Sequence, residues 1–171
     1  MKQIDLTLQA GDFTFNHRVA GICLKNDCIL LEKNFKGKHW SLPGGRILSG
    51  ESSSDAIERE LTEELGISVL HKDLFATAEL FFTDTQLETA RPFHEVSFYY
   101  TIDAFNETIP FVPNSYFNGY EHEDERFIWF PLANLNTLNF QPRQLKKMLA
   151  HPEQAPYHFI SNTLLDKEQD A

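Results

Sequence analysis

The sequence predicts an α+β fold, a β-sheet layered between α-helices. Three observations carry that prediction. Apolar runs of strand length recur along the chain, residues 52–65 show helical periodicity with a signal at each end, and strand-like segments outnumber helical ones. At 171 residues, with 42% hydrophobic and 23% charged residues, the chain has the size and composition of one soluble domain spanning 1–171. No repeat, low-complexity tract or linker divides it.

Val19 to Leu24 and Cys28 to Leu31 read as two strands joined through the polar turn Lys25-Asn26-Asp27. Pro43-Gly44-Gly45 then breaks regular structure. Ser52, with Asp55 three residues on, is a fitting N-cap for a helix running to about Leu65, where Gly66 supplies the stop. Leu74 to Phe82 and His94 to Ile102 follow as long strands. In the second, Val96, Phe98, Tyr100 and Ile102 alternate with Glu95, Ser97, Tyr99 and Thr101, the period of a sheet with two unlike faces. Pro110 to Asp124, rich in Pro, Asn, Gly and aromatics, is expected to be a long surface loop. Phe127 to Phe130 reads as a short strand. Pro142 is expected to open a last helix that buries Leu145, Met148 and Leu149.

Charge narrows the classes of function. Lys and Arg total 15 against 25 Asp and Glu, a formal charge of -10. Such a surface repels phosphate backbones and argues against long nucleic acid as a partner. A small anionic substrate is still admissible, because a bound divalent cation inverts the local field. Cys23 and Cys28 lack the matching ligands of a zinc site and read as apolar core thiols. Few cysteines, no secretory leader and no long apolar run lead to an expectation of a cytoplasmic protein without a membrane span. The sequon Asn106-Glu107-Thr108 is read as accidental in that setting.

The chemistry concentrates in residues 45–67. On a helix advancing about 100° per residue, Glu60, Glu63 and Glu64 fall within roughly a third of the circumference. Ile57, Leu61 and Leu65 form a neighbouring apolar stripe that must face the core. The carboxylates therefore sit beside the buried stripe, where they repel one another. A hard divalent cation relieves that repulsion, and Mg²⁺ prefers such oxygen ligands with several waters retained. The Gly44-Gly45 corner just upstream lets backbone approach a ligand closely. Taken alone, Glu-x-x-Glu-Glu also fits a plain solvated helix face.

The whole pattern is more specific. Gly45, Glu51, Arg59, Glu60, Leu61, Glu63, Glu64, Gly66 and Ile67 occupy every required position of the Nudix box, so the chain resembles the Nudix (MutT-like) hydrolases. A chance match is on the order of 10⁻⁸ at ordinary residue frequencies. Trp40 to Gly45 resembles the family's approach to the box, and Trp129-Phe130-Pro131-Leu132 its late strand entering a short helix. The resemblance implies a Nudix fold, a mixed sheet sandwiched between helices. It implies a metal site with Glu60 and Glu64 as principal ligands, Glu63 as a further carboxylate and the Gly45 carbonyl completing the shell. Glu51 and Arg59 are expected to hold loop and helix in register.

Activity follows as an expectation: Mg²⁺-dependent (or Mn²⁺-dependent) hydrolysis of a phosphoanhydride bond in a nucleoside diphosphate linked to another moiety. Glu63 and Glu64 are the catalytic carboxylates of the box. A further base outside it is expected in Glu121-His122-Glu123-Asp124-Glu125, with Glu125 first and Glu123 second, against the reading of a solvated acidic loop. Glu79 and Glu95, inside strands, are further candidates. For substrate, Arg46 is favoured over Arg18 and Arg91 to meet phosphate, because it follows Gly45 directly; each also fits a surface ion pair. Phe81 and Tyr116, with Phe93, Phe117 and Tyr120, are candidates for stacking on a base, whereas His94 and His122 read as structural.

Two alternatives stand beside hydrolysis. An isoprenoid diphosphate isomerase would need a catalytic cysteine, a role for which neither Cys23 nor Cys28 looks placed. A catalytically silent nucleotide sensor would be expected to show eroded box glutamates and an appended DNA-binding module. Many family members are dimers, so the resemblance points to a homodimer, although no residue here does.

Overall fold

The computed structural model describes residues 3–34, 39–84, 90–106 and 109–164. Eight strands form one mixed sheet: β1 (Thr7–Ala10), β2 (Phe13–Lys25), β3 (Cys28–Asn34), β4 (Ser68–Asp84), β5 (Arg91–Asn106), β6 (Tyr116–Asn118), β7 (Glu125–Pro131) and β8 (Tyr157–Asn162). Their order is β6-β7-β3-β2-β5-β4-β8, with β1 paired to β2. The β2–β5 and β4–β8 pairs are parallel and the others antiparallel. Helix α1 (Ser53–Leu65) covers one face, and a 3₁₀ turn (Leu132–Thr137) with the short α2 (Leu145–Met148) covers the other.

The central strands read as unbroken apolar runs because both of their faces are buried. Along β2 and β3, Ile22, Ile29 and Leu31 pack with Leu135, Phe140, Leu145 and Leu149. Cys23, Cys28 and Leu30 point the other way, against Ile57, Leu61 and Leu65 of α1 and the fully buried Trp129. Helix α1 begins where Ser52 accepts a hydrogen bond from the Asp55 N–H and ends at Gly66, whose left-handed φ of 66° lets its N–H cap the last turn. The β2–β3 hairpin turns through Asn26 and Asp27, with φ of 46° and 59°, as a two-residue connection requires.

Several expectations need correction. The long strands extend past both predicted ends. Strand β3 continues beyond Leu31 and carries Glu32, because β7 pairs with it through Asn34. The expected loop Pro110 to Asp124 contains β6, which pairs Tyr116 with Ile128 and Phe117 with Phe127. Strands β1 and β8 were not foreseen: β1 is largely exposed and carries little pattern, and β8 is short. The last helix is a single turn beginning at Leu145, not Pro142. The apolar spacing at 145, 148 and 149 reflects that one turn, although Leu145 and Leu149 are buried as expected. The sequon beginning at Asn106 runs outside the described residues. No described helix is long and apolar enough to cross a membrane.

One departure from regular pairing creates the site. Strands β2 and β3 pair only next to their turn, at Leu24↔Ile29 and Lys25↔Cys28, and then diverge. Residues 41–47 run into the gap. Ser41 exchanges both backbone hydrogen bonds with Glu32 of β3, while Gly21, Val19 and His17 of β2 bond to Pro43, Gly45 and Ile47. The Pro43-Gly44-Gly45 corner is thus a wedge between two strands, directly beside α1.

Candidate functional site

Helix α1 turns its apolar stripe to the sheet, which carries Glu60 and Glu64 inward at the stripe's edge. Both are buried, at 7% and 6% exposure. Glu64 accepts the Gly44 N–H at 3.1 Å. At Gly45 the fit is tighter still, since a Cβ there would lie 2.3 Å from Glu60 Oε2. A side chain at Gly45 would push the Glu60 carboxylate away from this corner.

The segment from Tyr116 to Asp124 closes the other side. The Tyr120 N–H donates to the Glu64 carbonyl at 2.8 Å, tying this loop to the end of α1. The tie brings Glu121 in: one carboxylate oxygen each from Glu60, Glu64 and Glu121 lies within 4.8 Å of the other two. A second group with that spacing, His71, Asp73 and Asp103, is exposed at all three residues, and His71 already bonds Asp103 through Nδ1 at 2.6 Å. The first group is the stronger candidate, because its two buried acids, Glu60 and Glu64, pay a desolvation penalty without an ion and the three repel one another, although Glu121 itself is exposed.

Electrostatics bear this out. Burial first, then Glu32, Glu60 and Glu125, hold the Glu64 carboxyl well above the ordinary range. Burial and the facing Glu125 push Glu32 up to about 8, with Arg18 pulling it back. Burial also raises Glu125, with His122 opposing and Glu121 assisting. Glu60 is raised by burial despite its hydrogen bond from Arg59. Arg18 also lies among these acids: burial opposes its charge, and Glu95, Glu32 and Glu64 outweigh that and raise it.

The remaining box residues form a clamp. Arg59 grips Glu51 with two bonds, Nε to Oε1 at 2.8 Å and Nη2 to Oε2 at 2.9 Å, and Glu51 also accepts the Leu48 N–H. Its other contacts go to Glu60, Glu63 and the Arg46 carbonyl. The Arg59 hydrogen bonds keep Glu51 below the ordinary carboxylate range. Glu63 is exposed and turned to Arg59, outside the converging group. The Gly45 carbonyl accepts the Val19 N–H at 3.0 Å, which leaves it one lone pair.

Other candidates scatter. Arg46 is exposed and meets Asp5 at 3.4 Å, and Arg91 donates to Gln9. Phe81 stacks on His94 with centroids 4.4 Å apart. Strand alternation puts that pair on the α1 side of the sheet, opposite Arg18 and Glu95. Tyr116 is exposed and lies parallel to Trp40 at 5.9 Å; Phe93 packs on Phe82, and Phe117 on Phe127. Glu79 bonds His158, and Glu123 is exposed. Glu95 is buried and receives hydrogen bonds from Asn16 and Ser97, both at 2.7 Å. Cys23 and Cys28 are buried free thiols, and burial raises both.

Glu32 and Glu121 were missed as individual residues. A charged residue ending the apolar run Cys28 to Leu31 was the available signal for Glu32. Nothing local distinguished Glu121 from its acidic neighbours.

The family model described as NUDIX domain matches residues 15–151. An RNA pyrophosphohydrolase of Ruthia magnifica subsp. Calyptogena magnifica is 47% identical over 58 residues, 33% of this chain and 32% of that protein. An 8-oxo-dGTP diphosphatase of Buchnera aphidicola is 30% identical over 77 residues, covering 43% and 59%. The chain thus spans about a third and three fifths of these two relatives. Among solved structures, a MutT protein from Bacillus halodurans superposes with a TM-score of 0.62 at 18% identity, over 86% of this chain and 91% of that one. A MutT structure from a study of the Aliivibrio salmonicida and Vibrio cholerae proteins gives 0.55 at 24% identity, over 80% and 98%. These likenesses identify the fold as the Nudix sheet between helices. With the domain match covering most of its length, the chain belongs to the Nudix family.

Proposed function

We propose that the chain is a Mg²⁺-dependent pyrophosphohydrolase that cleaves a phosphoanhydride bond in a nucleoside diphosphate linked to another moiety: a nucleoside triphosphate, nucleotide sugar, ADP-ribose or dinucleoside polyphosphate. The observation that carries this reading is the convergence of Glu60, Glu64 and Glu121 at the Gly44-Gly45 corner. Hard oxygen donors, buried at Glu60 and Glu64 and exposed at Glu121, beside an open backbone turn fit Mg²⁺, with Mn²⁺ as a substitute. In this assignment Glu121 takes the place that family resemblance gives to Glu63. Glu60, Glu64 and Glu121 would hold the ion, which when bound would supply charge neutralisation for the phosphates and an activated water.

Glu125, whose carboxyl burial raises above the ordinary range, is our candidate for the general base. It orients the attacking water. The water oxygen forms the new P–O bond, its proton passes to Glu125, and the bridging P–O bond breaks with its electron pair leaving on the nucleoside monophosphate. Glu51 and Arg59 keep the loop that carries Gly45 fixed against α1. Tyr116 is our candidate platform for the base.

A panel of nucleotide derivatives, assayed with Mg²⁺ and Mn²⁺ and with products identified, tests the assignment. Release of a nucleoside monophosphate from at least one member is expected. A 5′-triphosphorylated RNA belongs in the panel; at a charge of -10 the protein is expected to turn it over poorly. No metal-stimulated product from any member would overturn the reading.

The raised carboxyls also predict a pH signature. Between the ordinary carboxylate value of about 4.3 and about 8 at Glu32, the folded state holds more protons than the unfolded chain. Metal-free stability therefore falls as pH rises through that window. Saturating Mg²⁺, which binds the ionised acids, flattens the slope. Thermal melts in chelator and in Mg²⁺ check this, and Glu64→Gln should reduce the metal-free slope. A metal-free Tm that rises across the window would contradict it.

A further inference from the structure

Arg18 stands on β2 at the rim of the wedge, paired in register with Ser97 of β5. Its Nη2 donates to the Gly44 carbonyl at 3.0 Å, while the N–H of the same residue is held by Glu64. Its electrostatic partners are Glu95, Glu32 and Glu64, yet among the described residues none of these acids approaches it as an ion pair. The nearest in effect, Glu95, is committed elsewhere: one oxygen takes Asn16 Nδ2 and the other Ser97 Oγ, and Thr7 in turn fixes Asn16. The guanidinium is therefore held in place by the field of several carboxylates and by one hydrogen bond, out of five N–H donors.

A planar fork with donors to spare is the arrangement that recognises phosphate. Arg46, favoured for that role by its position in the sequence, is exposed and engaged by Asp5. Arg18 instead reaches the Gly44 corner that Glu64 also holds, where a diphosphate would come to meet a metal bound there.

We propose that Arg18 is a phosphate-binding residue of this site: it balances the carboxylates when no metal is present and turns its spare donors to the substrate diphosphate once the metal has taken over that charge. The proposal rests on the hydrolase reading above. It makes Arg18 and the metal competitors for the same negative field, but partners toward the substrate. A residue that merely braced Gly44 would not show that opposition in sign.

The test uses the full chain and its Arg18→Met and Arg18→Lys variants, with folding checked by circular dichroism. Free Mn²⁺ binding is measured by electron paramagnetic resonance, and methylenediphosphonate binding to the Mn²⁺-loaded protein by calorimetry. Arg18→Met is expected to bind Mn²⁺ roughly threefold to tenfold more tightly, and the diphosphonate at least about thirtyfold more weakly. Arg18→Lys, which keeps the charge without the fork, should restore Mn²⁺ affinity to the wild-type level and diphosphonate affinity only in part. If both affinities fall together in the Met variant, Arg18 is a structural brace and the proposal fails. Unchanged diphosphonate affinity also overturns it, while leaving the hydrolase reading intact. A wild-type protein that takes up no Mn²⁺ would instead bring down the hydrolase reading and this assignment with it. Should the Met variant not fold, the Lys variant decides: full diphosphonate affinity refutes the proposal and a partial loss supports it.

Discussion

Glu64→Gln is expected to lower kcat by about 10³-fold or more, on the order of 4 kcal/mol of transition-state stabilisation. The substitution keeps shape and removes one charge. Glu64 is buried, touches the Gly44 N–H and sits within reach of Glu60 and Glu121, so a neutral amide both weakens the metal ligand set and alters the corner's hydrogen bonding. The same change should leave the metal-free fold at least as stable. An uncompensated buried carboxylate among Glu32, Glu60 and Glu125 opposes folding, and the amide relieves it. Opposite signs in the two measurements, turnover down and chelator-treated Tm level or up, would mark Glu64 as a group retained for chemistry. Wild-type turnover in the variant would remove Glu64 from the mechanism. A large fall in Tm would recast it as structural.

Gly44→Ala should be damaging in a different way. Gly44 has a φ of 137°, a region that side chains rarely adopt, and an added Cβ would lie 2.4 Å from the Val19 carbonyl and 2.7 Å from the Ala20 Cα. Those atoms belong to β2 and cannot swing aside. We expect a loss of about 3 kcal/mol, from backbone strain and overpacking together. Turnover should fall about 10²-fold or more, because the displaced corner carries the N–H that holds Glu64. Gly50→Ala is the control. Its φ of 80° is also left-handed, but nothing lies within 4 Å of its Cβ position. A cost of about 1 kcal/mol with near-normal turnover is expected there. Equal effects at the two positions would mean that steric contact at the wedge contributes nothing.

These two predictions draw on different layers of information. Helix α1 was legible in the residues because its signals are local: Ser52 and Asp55 at one end, Gly66 at the other, and Ile57, Leu61 and Leu65 in step between them. The same periodicity placed Glu60 and Glu64 at the edge of the buried stripe. The β2–β3 hairpin was legible too, from two apolar runs and a polar turn. Strands β1 and β8 were not, because a short strand with an exposed face takes its identity from the neighbour that pairs with it.

The amino-acid order alone carried the family resemblance and the acidic helix, since each depends on residues close together in the chain. The steric demand for glycine at the corner comes from Val19, Ala20 and Glu60, which only the fold brings there. Which acids and which arginine gather at the candidate site depends on pairings across the whole fold. Divergence of β2 from β3 admits residues 41–47, the Tyr120 N–H bond to α1 brings in Glu121, and parallel pairing with β5 sets Arg18 opposite Ser97 and next to buried Glu95. Residue spacing encodes direction around a helix or across a strand, whereas convergence of distant segments depends on register, which appears only once the sheet is assembled.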